Sequence, residues 1–205
     1  NAGNGSVLTL TNNSLVQGNT ARAGGGFWNL DGGFVRIDGS TVASNTATVF
    51  GGGGVWNLDG GFVRIDSSIF ASNTAATDGG GLYNTGSGSI ISLTNGSQVR
   101  ANTAITNGGG IANSDAGSVN LDASTVASNT AIAGNGGGIY SLGAGSVLTV
   151  TGSLVQANVA GDSGGGIDND NAVATISNTL VYSNGAVYGG GIWSNGDSSR
   201  GTVDG

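Results

Sequence analysis

Apolar and polar residues alternate along this chain in short bursts, never in long runs. Leu8/Leu10, Val35/Ile37, Val63/Ile65, Ile91/Leu93, Val119/Leu121, Leu148/Val150 and Ala174/Ile176 are each separated by one polar residue. A period of two belongs to a strand with one buried face. Two further apolar positions recur in step with each pair. One is Val16, Val42, Phe70, Val99, Val126, Val155 and Val181. The other follows Gly-Gly-Gly: Phe27, Val55, Leu82, Ile111, Ile139, Ile167 and Ile192. The pattern predicts three short strands per unit, separated by Gly, Asn, Asp and Ser, the residues of turns.

The unit is a repeat. The eleven residues Trp28 to Asp38 recur identically as Trp56 to Asp66. An Asn anchors each repeat: Asn19, Asn45, Asn73, Asn102, Asn129, Asn158 and Asn184, at intervals of 26, 28, 29, 27, 29 and 26 residues. Each is followed two residues later by Ala and preceded five residues earlier by Ser or Thr. No hairpin dipeptide recurs in register, and no segment is long enough for a crossover helix. Three strands and three corners per repeat close one turn of a solenoid. The expected fold is therefore all-β: a right-handed parallel β-helix (β-solenoid) of about seven coils of 26–29 residues, with residues 1–205 as one domain.

Spacing also locates a corner. Val42 and Asn45 are three apart, so a straight strand would place them on opposite faces. If both point inward, the chain bends between them and the anchor Asn residues stack inside a corner, pairing amide with amide. A second column follows the glycines: Asn29, Asn57, Asn84, Asn113, Ser141, Asn169 and Ser194. Both Asn columns are expected to be structural ladders.

Composition narrows the chemistry. The 205 residues include 43 Gly and no Pro, Cys, Met or His; the acidic residues are all Asp and the basic ones all Arg. Zero Cys excludes disulfides and thiolate metal sites. Zero His removes the commonest catalytic base and metal ligand. A net charge of −7 without a basic cluster argues against nucleic acid. No apolar run approaches the roughly 20 residues of a membrane helix.

The Gly-Gly-Gly-[Ile/Leu/Val/Phe] step, as at 189–192, and the apolar-x-x-Asn step, as in Phe70-Ala71-Ser72-Asn73, together resemble the polymorphic outer-membrane protein repeats of bacteria, typified by GGA[ILV] and FxxN. The third Gly and the frequent Val for Phe depart from that pattern. The resemblance covers the whole chain. It implies a secreted or surface-displayed β-helix used in adhesion, and no catalytic residues.

Four surface features are candidates for function. Trp28, Trp56, Tyr83, Tyr140 and Trp193 follow the inward residue after the glycines, so they should point outward as a contact strip, with Ala112 and Asp168 in the same column. Such a strip can cover its own sheet, meet another protein or stack on sugar. Arg36/Asp38 and Arg64/Asp66 should form charged columns on the outer face of one sheet, neutralised diagonally, with Asp122 extending the Asp column. Asp168-Asn169-Asp170-Asn171 concentrates acid but is a weak calcium motif, with Asn169 buried and the two Asp split across a corner. Thr20, Thr46, Thr74, Thr103 and Thr130 make one flat Thr column, as ice-binding β-helices display.

The reading is an extracellular structural or adhesive solenoid on a bacterial surface, without enzymatic activity, cofactor or metal. Alternatives are a carbohydrate-binding or carbohydrate-active β-helix and, third, an ice-binding protein. Expected partners are other copies, end to end and side by side, and a surface glycan. Gly5-Ser6-Val7-Leu8-Thr9-Leu10 reads like the interior Gly145-Ser146-Val147-Leu148-Thr149-Val150, and 201–205 reads as entering another coil. The chain is thus expected to be a segment of a longer rod or filament.

Overall fold

A computed structural model describes residues 1–196 and 200–204. It is an all-β solenoid of about seven coils, with no helix among the described residues. Every strand pairs in parallel with its counterpart one repeat away, and all align residue for residue with the sequence repeat.

Four sheets run along the rod. Sheet I stacks Val7–Leu10, Phe34–Asp38, Phe62–Asp66, Ile90–Thr94, Ser118–Asp122, Val147–Thr151, Val173–Ser177 and Arg200–Asp204. Sheet II stacks Leu15–Gln17, Thr41–Ala43, Ile69–Ala71, Gln98–Arg100, Thr125–Ala127, Leu154–Gln156 and Leu180–Tyr182. Sheet III holds the two-residue strands Thr20–Ala21, Thr46–Ala47, Thr74–Ala75, Thr103–Ala104, Thr130–Ala131 and Val159–Ala160. Sheet IV stacks Phe27–Asn29, Val55–Leu58, Leu82–Thr85, Ile111–Ser114, Ile139–Leu142, Ile167–Asp170 and Ile192–Asn195. The sequence pattern predicts three of these strands per coil. Sheet III is the addition, because two residues are too few to show an alternation. Arg200–Asp204 pairs with Val173–Ser177; Gly205 lies outside the described residues.

The inward residues of sheets I, II and IV form one continuous core. Val35, Ile37, Val42, Val63, Phe70, Leu82, Ile91, Val99 and Ile111 are all fully buried. Sheet III contributes only Ala47, Ala75, Ala104, Ala131 and Ala160 to the interior, because the coil is pinched there. Gly80 shows why: a Cβ on it would lie 2.3 Å from the Gly109 oxygen and 2.6 Å from the Thr103 carbonyl. Backbone packs directly on backbone, which a side chain forbids.

The bend inferred between Val42 and Asn45 is present. Both side chains are fully buried, and Ser44 between them has φ 54°. The equivalent residues Gly18, Ser72, Ala101, Ser128, Ala157 and Ser183 are left-handed too. They turn the corner that brings the anchor Asn inside.

Candidate functional site

The first Asn column is a complete amide ladder. Asn73 Nδ2 donates to Asn102 Oδ1 at 3.0 Å and to the Val42 carbonyl at 3.0 Å. Its Oδ1 accepts from Asn45 Nδ2 at 3.0 Å and from the Asn45 backbone N–H at 3.0 Å. The same donor–acceptor chain runs from Asn19 through Asn45, Asn73, Asn102, Asn129 and Asn158 to Asn184. Both side-chain donors and the carbonyl oxygen are used, as a buried amide requires.

The second column, Asn29, Asn57, Asn84 and Asn113, links Nδ2 to Oδ1 at 2.8–2.9 Å. It weakens at Ser141, which Asn113 reaches at 3.3 Å; Asn169 likewise donates to Ser194 at 3.3 Å. Ser141 is fully buried between the coils that carry Asn113 and Asn169. Ser141→Asn is therefore expected to restore the amide spacing and raise stability by about 1 kcal/mol. Urea unfolding checks it; a lowered midpoint would show that the corner lacks room for the amide.

A third, external polar column was not anticipated. Asn107 donates to Asp78 Oδ1 from its backbone at 2.9 Å and from Nδ2 at 3.0 Å. The backbone of Asn135 donates to Asn107 Oδ1 at 2.9 Å, and the backbone of Ser163 donates to Asn135 Oδ1 at 3.3 Å. The signal lay in plain view: Asp78, Asn107, Asn135 and Ser163 each stand immediately before Gly-Gly-Gly.

This column belongs to loops that run beside the outer side of sheet IV, so the aromatic strip is only partly accessible. Trp28 and Trp193 are exposed, and Trp56 and Tyr83 are half-buried. Ala112, Tyr140 and Asp168 are buried. Tyr140 thus drops out of a continuous contact strip. Burial, followed by the nearby Asp170 and Asp168, pushes its phenol up to about 12. The rings of Trp28, Trp56 and Tyr83 stack in sequence, with centroids 5.7 and 5.6 Å apart. Phe50 packs 6.0 Å from Trp56, and the Arg22 guanidinium sits 5.9 Å from the Phe50 ring centre. Arg22, Trp28, Phe50 and Trp56 line a shallow apolar cavity of about 620 Å³.

Asp168 and Asp170 occupy the outer side of one strand and are not split across a corner, since residues two apart share a face. Asn169 between them is buried, as expected. Together with Asp162, Asn135, Ser163, Tyr188, Trp193 and Asn195 the two carboxylates line a groove of about 380 Å³. The Ser163 hydroxyl donates to Asp168 Oδ2 at 2.5 Å. Burial, followed by Asp170 and Asp162, raises the Asp168 carboxyl to about 6 against the opposing Ser163 bond. Among the described residues no group of three or more Asp is arranged to hold a metal ion.

The folded state therefore keeps the Asp168 proton to higher pH than the unfolded chain. That advantage is full below the unfolded value near 3.8 and is lost as pH rises through about 6. Asp168→Asn is expected to remove this loss, roughly 2 kcal/mol, so the variant gains on the parent as pH rises from 4 to 7. Denaturant melts of both proteins across that range test it; parallel curves would mean the carboxyl is not perturbed.

On sheet I the Arg and Asp columns stack in register, Arg36 on Arg64 and Asp38 on Asp66. The ion pairs run along each strand, Arg36–Asp38 at 2.6 Å and Arg64–Asp66 at 3.6 Å, and not diagonally as expected. Both Arg are about half exposed, so these pairs contribute little to stability. Asp66 is held below the usual carboxylate range, chiefly by the Ser67 hydroxyl.

Beside these charges lies a column that pattern reading passed over. Val7, Phe62, Ile90, Val147 and Val173 are 36–64% exposed, and Phe34 is half-buried with its ring 5.3 Å from Phe62. They stand one residue ahead of the inward pairs, with Ser118 as the single polar member of the column between Val7 and Val173. The Thr column of sheet III is also in register, from Thr20 to Thr130, and is continued by Val159.

No family model, curated protein or solved structure matches the chain. Among the described residues no helix is long and apolar enough to cross a membrane.

Proposed function

We propose that this chain is a structural and adhesive rod, displayed outside a bacterial cell, that works through its long sides. The observation that carries this reading is the apolar column of sheet I, which repeats at every coil but one from Val7 to Val173. An exposed apolar stripe on a regular sheet suits contact with another surface. The resemblance to surface-displayed bacterial repeats points the same way. The ladders supply rigidity, because the coils from Asn45 to Asn158 are bonded to one another through buried amides.

Display of the chain on a non-adherent bacterium tests the proposal. Cells should settle or attach more than controls, and Phe34→Ser/Phe62→Ser should abolish most of the gain while leaving the thermal midpoint within a few degrees. Equal attachment by a folded double variant would overturn it.

The groove around Asp168 favours a second reading, a glycan-binding face. Tyr188 and Trp193, with ring centres 6.0 Å apart, share the groove with Asp162 and Asp170, whose accessible carboxylates can accept hydrogen bonds from sugar hydroxyls. Retention on immobilised glycans, lost in Trp193→Ala, would support it. A column that retains neither protein counts against it.

A further inference from the structure

We infer that the partner of the sheet I face is a second copy of this chain, packed face to face with its rod axis reversed. The inference rests on the adhesive reading and identifies the surface that the apolar column meets.

The face outside sheet I is, on its six central strands, Phe34–Asp38 through Val173–Ser177, a grid of three outward residues per strand; Val7–Leu10 and Arg200–Asp204 flank it, one at each end, and leave its midpoint unchanged. At one end the rows are Phe34, Arg36, Asp38 and Phe62, Arg64, Asp66. At the other they are Val147, Thr149, Thr151 and Val173, Thr175, Ser177. Bulky and charged residues occupy one end, small residues and hydroxyls the other.

Two-fold packing of copies must respect that asymmetry, since the same patch meets itself. With the axis along the rod, Arg36 would meet Arg36 and Phe34 would meet Asp38. With the axis along the strands, each column meets its own column in reverse order. Placed between Ile90–Thr94 and Ser118–Asp122, that axis sets Phe34 against Val173 and Phe62 against Val147. It sets Arg64 against Thr149 and Asp66 against Thr151.

No like charges then oppose one another. Moving the axis toward the Arg end brings Asp66 or Asp38 onto Asp122, then Arg64 onto itself, then Arg36 onto Arg64. Moving it half a step the other way puts Asp122 on itself, and further steps shed strands from the contact. The register with the greatest overlap is thus also free of like-charge contacts. Charge reinforces the choice of face. These six strands carry Arg36 and Arg64 against Asp38, Asp66 and Asp122, whereas the whole chain is −7.

Six strands about 4.8 Å apart and five residues long present roughly 450 Å² per rod, or about 900 Å² per pair. That is near the lower limit of specific interfaces, so a reversible dimer is expected.

Sedimentation velocity from 1 to 300 µM tests this, with thermal melts as folding controls. The parent should shift from monomer toward dimer as concentration rises. Thr149→Asp should tighten the dimer several-fold by facing Arg64 of the other copy, and Thr149→Arg should weaken it at least tenfold. With parallel rods Thr149 would face Thr149, and Asp there would weaken association instead. A parent that stays monomeric, or a Thr149→Asp variant that dimerises less, overturns the inference. If cell attachment still depends on Phe34 and Phe62 in that case, the adhesive reading stands with a different partner.

Discussion

Gly80→Ala is expected to cost about 4 kcal/mol or more, enough to unfold the middle of the rod at physiological temperature. The added methyl would sit 2.3 Å from the Gly109 oxygen and 2.6 Å from the carbonyl carbon and oxygen of Thr103. All three are backbone atoms, so no rotamer relieves the overlap; two coils must separate. Gly80 does not have a positive φ, so the penalty comes from space and not from backbone strain. Gly96→Ala is the control. Gly96 has φ 75° and nothing within 4 Å of its would-be Cβ. Its substitution should cost only the left-handed penalty, about 1 kcal/mol. Comparing denaturant midpoints of the two variants separates the causes. Equal losses would mean that the pinch between Gly-Gly-Gly and sheet III is not rigid.

Stacking in register explains how much of the fold is legible in the chain. The core columns and both Asn ladders were legible because each repeats a side-chain type at a fixed offset, and stacking in register preserves that offset in space. The corner at Ser44 was legible from parity, since Val42 and Asn45 are an odd number of residues apart and both buried. What pattern reading passed over depended on contacts off the coil's own strands. The loops carrying Asp78, Asn107, Asn135 and Ser163 bond to each other on the outside, and beside them Tyr140 and Asp168 are buried. Outward alternation alone predicts exposure for both. The apolar column of Phe34, Phe62 and Ile90 was hidden for another reason. It sits next to the inward pairs and merges with them into apolar runs, Phe34-Val35 and Ile90-Ile91, that look like core.

The amide ladder makes a sharper prediction, because it has a direction. Asn73 receives two hydrogen bonds at its oxygen, from the Asn45 N–H and Nδ2, and gives two from its nitrogen, to Asn102 Oδ1 and the Val42 carbonyl. Asn73→Ala removes both sides and leaves buried groups unpaired, a loss of about 3 kcal/mol. Asn73→Asp keeps the acceptor and the shape but replaces the donor with a second oxygen. Ionised, that oxygen faces the Asn102 and Val42 oxygens in a site closed to water. Repulsion and burial both disfavour the charge, so the carboxyl's value in the fold must rise above its unfolded value. Protonated, the Asp can donate one of the two lost bonds. Its stability penalty is therefore smallest below the unfolded value near 4 and grows as pH rises through the raised folded value. Urea unfolding at pH 3.5 and pH 7.5 should show Asn73→Asp more stable than Asn73→Ala in acid and no better, or worse, at neutral pH. An Asp variant that outperforms Ala equally at both pH values would mean that water reaches the corner and that the ladder is not sealed.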